Sequence, residues 1–522
     1  MGIHHLLIFG ILLLACSTSG APREDLSDHF FTNGALKRLK IQISEDAVKA
    51  LRAEPRQYVK CTVTEGGQTY RDVAVHLKGN YGTFKQLDGK ASLTLNFDKF
   101  VGGQKLHGLD KFHLNNSEQD PTYLCEFLSS ELFRKAGIPA ARVAHAQVEL
   151  NGRDLGLYVL LEGLDKTFLR KHFQNPDGNL YESEFSRDID VPLKRNSGKG
   201  ASDHSDLRAL MAAIAIEDDR ERLLKLTSLV DMERVFSFLA LELIARHADG
   251  YTLEQNNYRL YFDPIGSKAV LIPHGMDQMF VQPQAPLLPE LKGQLAKAIL
   301  HPSMTRQFFR DRCSNLLPLL AGLTNRLEDL LPHVRTFLED GELEILRRYD
   351  DASTDLCKRL ALRVSHLESQ LRPAIALPIA IGQTVSLTNL VLSVEEGSVR
   401  LGKVAVNTND TSYELRIHPH EGSVKAVLQL PMLLPAGSYR MTLFAVSELP
   451  VFKGQEAPIK IGIWGLSNLG LEIEFPTKQS GKLSCVFELR HSPSEEVLGE
   501  IQLNGLFNTQ QIRGGLVLER LR

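Results

Sequence analysis

Asp249-Gly250-Tyr251, then Asn256-Asn257-Tyr258-Arg259-Leu260-Tyr261, then Ile272-Pro273-His274-Gly275-Met276-Asp277 is the stretch around which the rest of this chain is read. Residues 258–262 and 269–272 are short apolar runs of strand-forming types, and Asp263-Pro264-Ile265-Gly266 between them has the composition of a hairpin turn. Antiparallel pairing sets the start of the first strand beside the end of the second. The hairpin therefore predicts that Asn257 and Asp277 meet at its open end, with Asp249 brought there by the preceding loop. Two carboxylates and a carboxamide on one rigid element make a hard oxygen site suited to Mg²⁺ or Mn²⁺. Asp and Asn ahead of strands also serve as turn and cap residues, so the spacing alone leaves both readings open.

A buried helix, a loop with an Asp and a later Asn, a hairpin and a second Asp is also the order of a protein-kinase active centre, where the first Asp is the base and the Asn and second Asp hold metal. The spacing here is looser than in the protein-kinase pattern, and Asp277 is not followed by Phe-Gly.

The N-terminus is an apolar run at residues 6–14 followed by Ala15-Cys16-Ser17. A run of that length reads as a signal-peptide core and is too short to span a bilayer as a helix. Leu13-Leu14-Ala15-Cys16 resembles a bacterial lipobox, which predicts lipid on Cys16 and a cell-envelope lipoprotein, although only His4 and His5 supply the usual positive region. A plain secretory signal with a chance Cys is the alternative. The 522 residues allow two or three domains, and a net charge of −3 gives no electrostatic case for nucleic acid. Five further cysteines are scattered without CxxC pairs, an odd number that argues against a disulfide scaffold or thiolate zinc.

Residues 37–150 are mostly strand-like, with alternation at 71–77 and 92–97, interrupted by one helix at 122–136. Asn151-Gly152 predicts a second hairpin between strands at 146–150 and 155–162. Helices are expected at 206–216, 220–226, 231–248, 291–299, 305–319 and 342–371, the 231–248 segment being apolar on nearly every face and hence buried. A strand-rich first half, a helical second half and a cleft between them describe an α+β bilobal domain. Arg372-Pro373-Ala374 and Pro378 read as a linker, and the short alternating runs from Gly382 onward as a small all-β sandwich. The expected division is 1–21 signal and tether, 22–375 the bilobal domain, and 376–522 the sandwich.

Lys78-Gly79-Asn80-Tyr81-Gly82, Lys90-Ala91-Ser92-Leu93-Thr94-Leu95, Leu114-Asn115-Asn116 with Asp120-Pro121-Thr122, Asn151-Gly152 with the strand ending at Glu162, Gly178-Asn179-Leu180-Tyr181, and the block from Asp249 to Asp277 occur in the order of the CotH family. The chain resembles that family, the spore-coat protein H kinases, over about residues 36 to 370. The resemblance implies an atypical protein-kinase-like fold and transfer of phosphate from ATP to Ser or Thr of a surface or exported protein. It implies that Asp249 is the catalytic Asp, that Asn257 and Asp277 hold Mg²⁺ or Mn²⁺, and that Lys90 pairs with the nucleotide phosphates. A strand lysine in the first half can indeed point into an interlobe cleft. Lys78 and Gly79 sit on a glycine-bearing loop whose backbone N–H groups can approach phosphates. Glu162 falls at the expected lobe junction, where kinases hold adenine through the backbone.

Two rival classes stand beside the kinase. One is a non-catalytic nucleotide-binding or structural surface lipoprotein. The other is a metal-dependent hydrolase in which His247, Asp249, His274 and Asp277 form a mixed nitrogen and oxygen site. The expected partners are a protein with a Ser/Thr acceptor and the membrane through Cys16.

Overall fold

The computed structural model describes residues 27–522 except 33, 81, 191, 201, 340, 372–374, 377–378, 387–397, 408–409, 419–423, 435–436, 448–458, 466–470, 476–480, 490–494 and 506–511. The apolar leader with Cys16, and most of the expected linker, lie outside the described residues. Among the described residues no helix is long and apolar enough to cross a membrane, and Cys61, Cys125, Cys313 and Cys357 are free thiols. The architecture is α+β.

Strands β1 (Lys37–Ile43), β2 (Val59–Glu65), β3 (Gln68–Lys78), β4 (Ser92–Asn96), β5 (Lys111–Asn115), β6 (Val143–Leu150) and β7 (Arg153–Glu162) close into a barrel in the order β1-β2-β3-β4-β5-β7-β6. Closure comes from β1 lying parallel to β6, with Ile41 opposite Leu150. The period-two alternation of the sequence fills it: Ile41, Val63, Val75, Leu95, Phe112 and Leu160 point inward. The β6–β7 turn is made at Asn151 and Gly152, with φ of 50° and 80°, as the Asn-Gly pair predicts. Helices α1 (Asp28–Thr32), α2 (Glu45–Ala53) and α3 (Cys125–Lys135) accompany the barrel. The first two were not expected from the sequence, although α2 carries a clear start signal in Ser44, whose hydroxyl accepts from the Ala47 amide at 3.3 Å.

Helix α4 (Lys166–His172) leads into the second part. Here β8 (Leu180–Glu182), β9 (Lys194–Ser197), β10 (Tyr258–Asp263) and β11 (Lys268–Pro273) form a sheet of order β11-β10-β8-β9. Helices α5 (Ser205–Ile214), α6 (Asp219–Leu229), α7 (Met232–Ile244), α8 (Tyr251–Glu254), α9 (Gln294–Leu300), α10 (Ser303–Thr336) and α11 (Leu343–Gln370) make up the rest. One continuous core runs from Phe133 of α3 through Phe238 of α7 to Leu320 of α10 and Leu360 of α11.

Two boundaries differ from expectation for identifiable reasons. Helix α7 stops at Ile244 rather than near residue 248, because Arg246 turns to φ 52°. The last carbonyls of α7, Leu243 and Ile244, are taken by the buried guanidinium of Arg363 on α11 at 2.8 and 2.9 Å. Helix α10 runs seventeen residues past the expected end at 319, with Pro318 and Pro332 inside it. Leu320, Leu323, Leu327 and Val334 remain buried beyond the first proline, so packing carries the helix past a residue that by itself disfavours it.

Beyond α11 the described strands lie in two sheets. One has five strands, β12 (Ile375–Ala376), β16 (Val424–Leu434), β21 (Glu495–Gly505), β18 (Ile459–Gly465) and β19 (Leu471–Phe475), in that order. The other runs β14 (Ser398–Asn407), β15 (Asp410–His418), β22 (Ile512–Arg520), β17 (Gly437–Ser447) and β20 (Gly481–Leu489), with β13 (Thr384–Ser386) on β22.

Candidate active site

The hairpin end is built by register. Tyr258 pairs with Pro273, so Asn257 and His274 are the next residues out, and the His274 amide donates to Asn257 O at 3.0 Å. Asn257 then turns to φ 50° and its Nδ2 donates to Asp249 Oδ2 at 2.7 Å and Asp249 O at 3.0 Å. Asn256 Nδ2 donates to Asp249 Oδ1 at 3.0 Å, so both carboxylate oxygens of Asp249 hold an amide. Gly275 has φ 56°, and a Cβ there would stand 2.5 Å from Asn257 Oδ1. Glycine leaves that oxygen room for another partner.

A buried carboxylate holds the loop that carries Asp249. Glu242 of α7 accepts from the Tyr251 amide at 3.0 Å, the Thr252 amide at 2.7 Å and the Thr252 hydroxyl. Its Oε1 also lies 3.2 Å from His247 Nδ1, while His247 Nε2 lies 3.2 Å from Gly275 O. Burial alone would lower the His247 pKa, but Glu242 and the Gly275 carbonyl reverse this and raise it. Both ring nitrogens are therefore engaged with protein, and His247 joins the Asp249 loop to the Asp277 loop.

Asp249, Asn256, Asn257, Gly275 and Asp277 line a cleft of about 980 Å³, whose other wall is the barrel. Alternation decides which barrel residues face it: on β5, Phe112 and Leu114 fill the barrel while Lys111, His113 and Asn115 face the cleft. On β3 the same parity gives His76 and Lys78. Lys78 Nζ donates to Asn115 Oδ1 at 2.6 Å. Its pKa is brought down to about 8 by burial, with Glu126 and Asp277 as the nearest opposing charges. Burial, and then Asp277, raise the Glu126 carboxyl, and its Oε2 is buried without a hydrogen-bond partner. Asp277 is raised by burial and by Asp120. His113 and His274 are held well below the usual range, first by burial and then by the cations around them, and are neutral.

The structure thus brings Lys78, Gly79, Asp249, Asn257 and Asp277 to one cleft. It does not bring Lys90 there. Strand β4 opens at Ser92, and Lys90 precedes it, donating to Tyr123 OH at 3.0 Å with its ammonium 4.9 Å and 5.2 Å from the Tyr123 and Tyr158 ring centres. Nor does the Glu162 side chain reach the cleft: it is buried between Arg142, at 2.8 Å, and Lys171, at 2.5 Å, while Leu164 just beyond the strand lines the cleft. Gly79, at φ 103°, is tied by Arg56, which donates to Gly79 O and to Leu77 O. His274 lines the cleft beside Asn257. Asn115 holds Lys78, whereas Asn116 makes structural bonds, to Thr83 O and Lys90 O at 3.0 Å each.

Sequence reasoning missed Glu126, Lys111 and Arg259. For Lys111 the signal was present in the alternation of residues 111–115; for Glu126 it was an acid at helical spacing from Ser129 and Ser130, a polar set on a helix whose other positions are largely apolar. Among the described residues no group of three or more His, Cys, Asp and Glu side chains is placed to hold a metal ion. The hairpin-end donors are instead two carboxylates and a carboxamide oxygen, a set that suits a hard cation.

A cleft between a barrel and a helical half has a half-buried lysine on one wall and an Asp–Asn pair and second Asp on the other. Residues 75–317 match the family described as "CotH kinase protein", and this part of the chain belongs to the CotH family. The inner spore coat protein H of Bacillus subtilis (strain 168) is 23% identical over 177 residues, 31% of this chain and 48% of that protein. The chain thus spans about half the length of the curated relative it matches. Slighter likenesses to solved structures are to a mannan-recognising carbohydrate-binding module (TM-score 0.20, 7% identity, 27% of this chain and 98% of that one) and a module of Cellvibrio mixtus lichenase 5A in complex with cellotriose (TM-score 0.18, 9% identity, 27% and 100%). At these TM-scores the likeness carries no argument.

Proposed function

We infer that the chain is a metal-dependent phosphotransferase that moves phosphate from ATP to a Ser or Thr hydroxyl of an exported protein. The observation that supports it best is the convergence on one cleft of Asn257 bonded to Asp249, Asp277 beside Glu126, and a half-buried Lys78. Lys78, rather than Lys90, is the lysine positioned to pair with the nucleotide phosphates. Asn257 Oδ1 and Asp277 are the groups to hold Mg²⁺ or Mn²⁺, which when bound neutralises phosphate charge. Asp249, fixed by two amides, accepts the proton of the acceptor hydroxyl as its oxygen bonds to phosphorus and the bond to ADP breaks. Glu162 takes no part in nucleotide binding, because its side chain is committed to Arg142 and Lys171 and its amide to Arg142 O. The two sheets after α11 are read as a sandwich that contributes no chemistry to this cleft.

Labelled ATP and an acceptor protein, with Mg²⁺ or Mn²⁺, test the reading. Asp249→Asn is expected to lower transfer by about 10²- to 10⁴-fold while nucleotide binding persists, since the base acts only on the acceptor side. Undiminished transfer by that variant overturns the assignment, and absence of transfer by the unaltered protein favours a binding module. The hydrolase alternative loses support because both nitrogens of His247 are engaged within the protein.

A further inference from the structure

One end of the cleft carries positive charge that the reacting end does not use. Strands β9, β8 and β10 lie side by side, and their registers set Lys194 opposite Glu182 and Glu182 opposite Arg259. A single carboxylate therefore stands between two cations in one cross-strand row. Glu182 is already committed, accepting from Arg259 at 2.5 Å and from Asn196 at 2.8 Å. Lys111 faces this row from the barrel: burial would raise the Glu182 carboxyl, but Arg259, Lys194 and Lys111 together hold it below the usual range. Neither Lys111 nor Lys194 makes an ion pair among the described residues.

The same end offers little to a nucleobase. The backbone donors at the close of β7 are occupied, Glu162 N–H by Arg142 O at 2.9 Å and Gly163 N–H by Lys111 O at 3.0 Å. Arg259 on β10 and Asn257, just before the strand, both line the cleft. Asn115, His113 and Lys111 run beside them on β5 over roughly 13 Å. The cations thus form a track, from Lys78 at the reacting end through Arg259 to Lys111 and Lys194.

We propose that this track binds linear inorganic polyphosphate, seating more phosphoryl groups than a nucleoside triphosphate supplies. The inference rests on the phosphotransferase reading for the reacting end and adds the class of ligand that fills the other. A chain of repeated anions matches a row of separated cations, of which Arg259 is buried and paired with Glu182 while Lys111 and Lys194 line the cleft without an ion pair among the described residues. Arg259 is the rigid member, fixed by Glu182, and the two lysines are the adaptable ones.

Calorimetric titration of the full chain with pyrophosphate, tripolyphosphate and a longer linear polyphosphate, in chelator and without added metal, tests it. Affinity is expected to keep rising beyond tripolyphosphate, and a Lys111→Gln, Lys194→Gln double variant is expected to lose that further gain by roughly fivefold or more. Both side chains reach solvent, and an unchanged melt shows the variant folded. Affinity that stops rising at three phosphates, or a double variant that matches the unaltered protein, overturns the proposal. The Asp249→Asn protein should bind polyphosphate normally. Polyphosphate binding without any transfer therefore removes the phosphotransferase reading alone, and transfer without a chain-length effect removes this one alone.

Discussion

Lys78 and Lys90 lie twelve residues apart, each is half-buried, and desolvation brings each to a pKa of about 8, yet their surroundings have little in common. Lys78 ends a strand, faces the cleft and looks onto Glu126 and Asp277. Lys90 precedes a strand and lies against two tyrosine rings, with Glu118 its first opposing charge. A lowered lysine pKa records only that the folded state disfavours the charge. What separates a site lysine from a packed one is the group on the far side of it, and here that group is a pair of carboxyls in one case and a phenol in the other.

Substitution can break this comparison. Lys78→Met is expected to carry the largest effect, a loss of transfer of roughly 10²-fold or more, since it removes a preorganised cation from a water-poor site. Phosphate incorporation close to that of the unaltered protein shows that Lys78 is a packing residue. Lys90→Met is expected to leave transfer within about twofold, because no reacting group is near it. At neutral pH both variants should melt at or above the temperature of the unaltered protein, as each loses a cation that folding must desolvate. A Lys90→Met protein that folds but transfers nothing restores Lys90 to the site.

Glu126 sharpens the contrast with a smaller effect. Its carboxyl is raised in the folded state, so between the ordinary Glu range and its raised value the folded protein binds more protons than the unfolded one. Stability from this group is therefore lost as pH rises through that window. Glu126→Gln should flatten the fall in melting temperature between acid and neutral pH, because the amide has no proton to lose in that window. Parallel pH–melting curves for the two proteins rule out this role for Glu126.

The hairpin, the Asp249–Asn257 meeting and the burial of α7 were legible because each follows from local pattern: a turn fixes register, and register fixes which residues share an end. The choice between the two lysines was not. It depends on β3 pairing with β4, which sets Lys78 opposite Ser92 and leaves Lys90 outside the ladder. Barrel closure is likewise a contact between β1 and β6, distant in sequence and invisible to any short window. In the sequence Arg259 is a lone charge within an apolar strand-forming run. Its meaning comes from Glu182, 77 positions earlier.

The matched family segment ends at residue 317, but the scaffolding of Asp249 does not. Arg363, fully buried, closes the end of α7 from 119 and 120 positions downstream and also donates to Ala285 O; Arg359 from the same helix donates to Phe280 O at 2.9 Å. Removing α11 would take the guanidinium from both carbonyls at the point where the chain turns toward His247 and Asp249, leaving Leu243 O the Arg246 amide at 3.3 Å and costing about 1–3 kcal/mol at Ile244 O. A helix that contributes no residue to the cleft is therefore part of what holds the cleft's shape, through its two arginines.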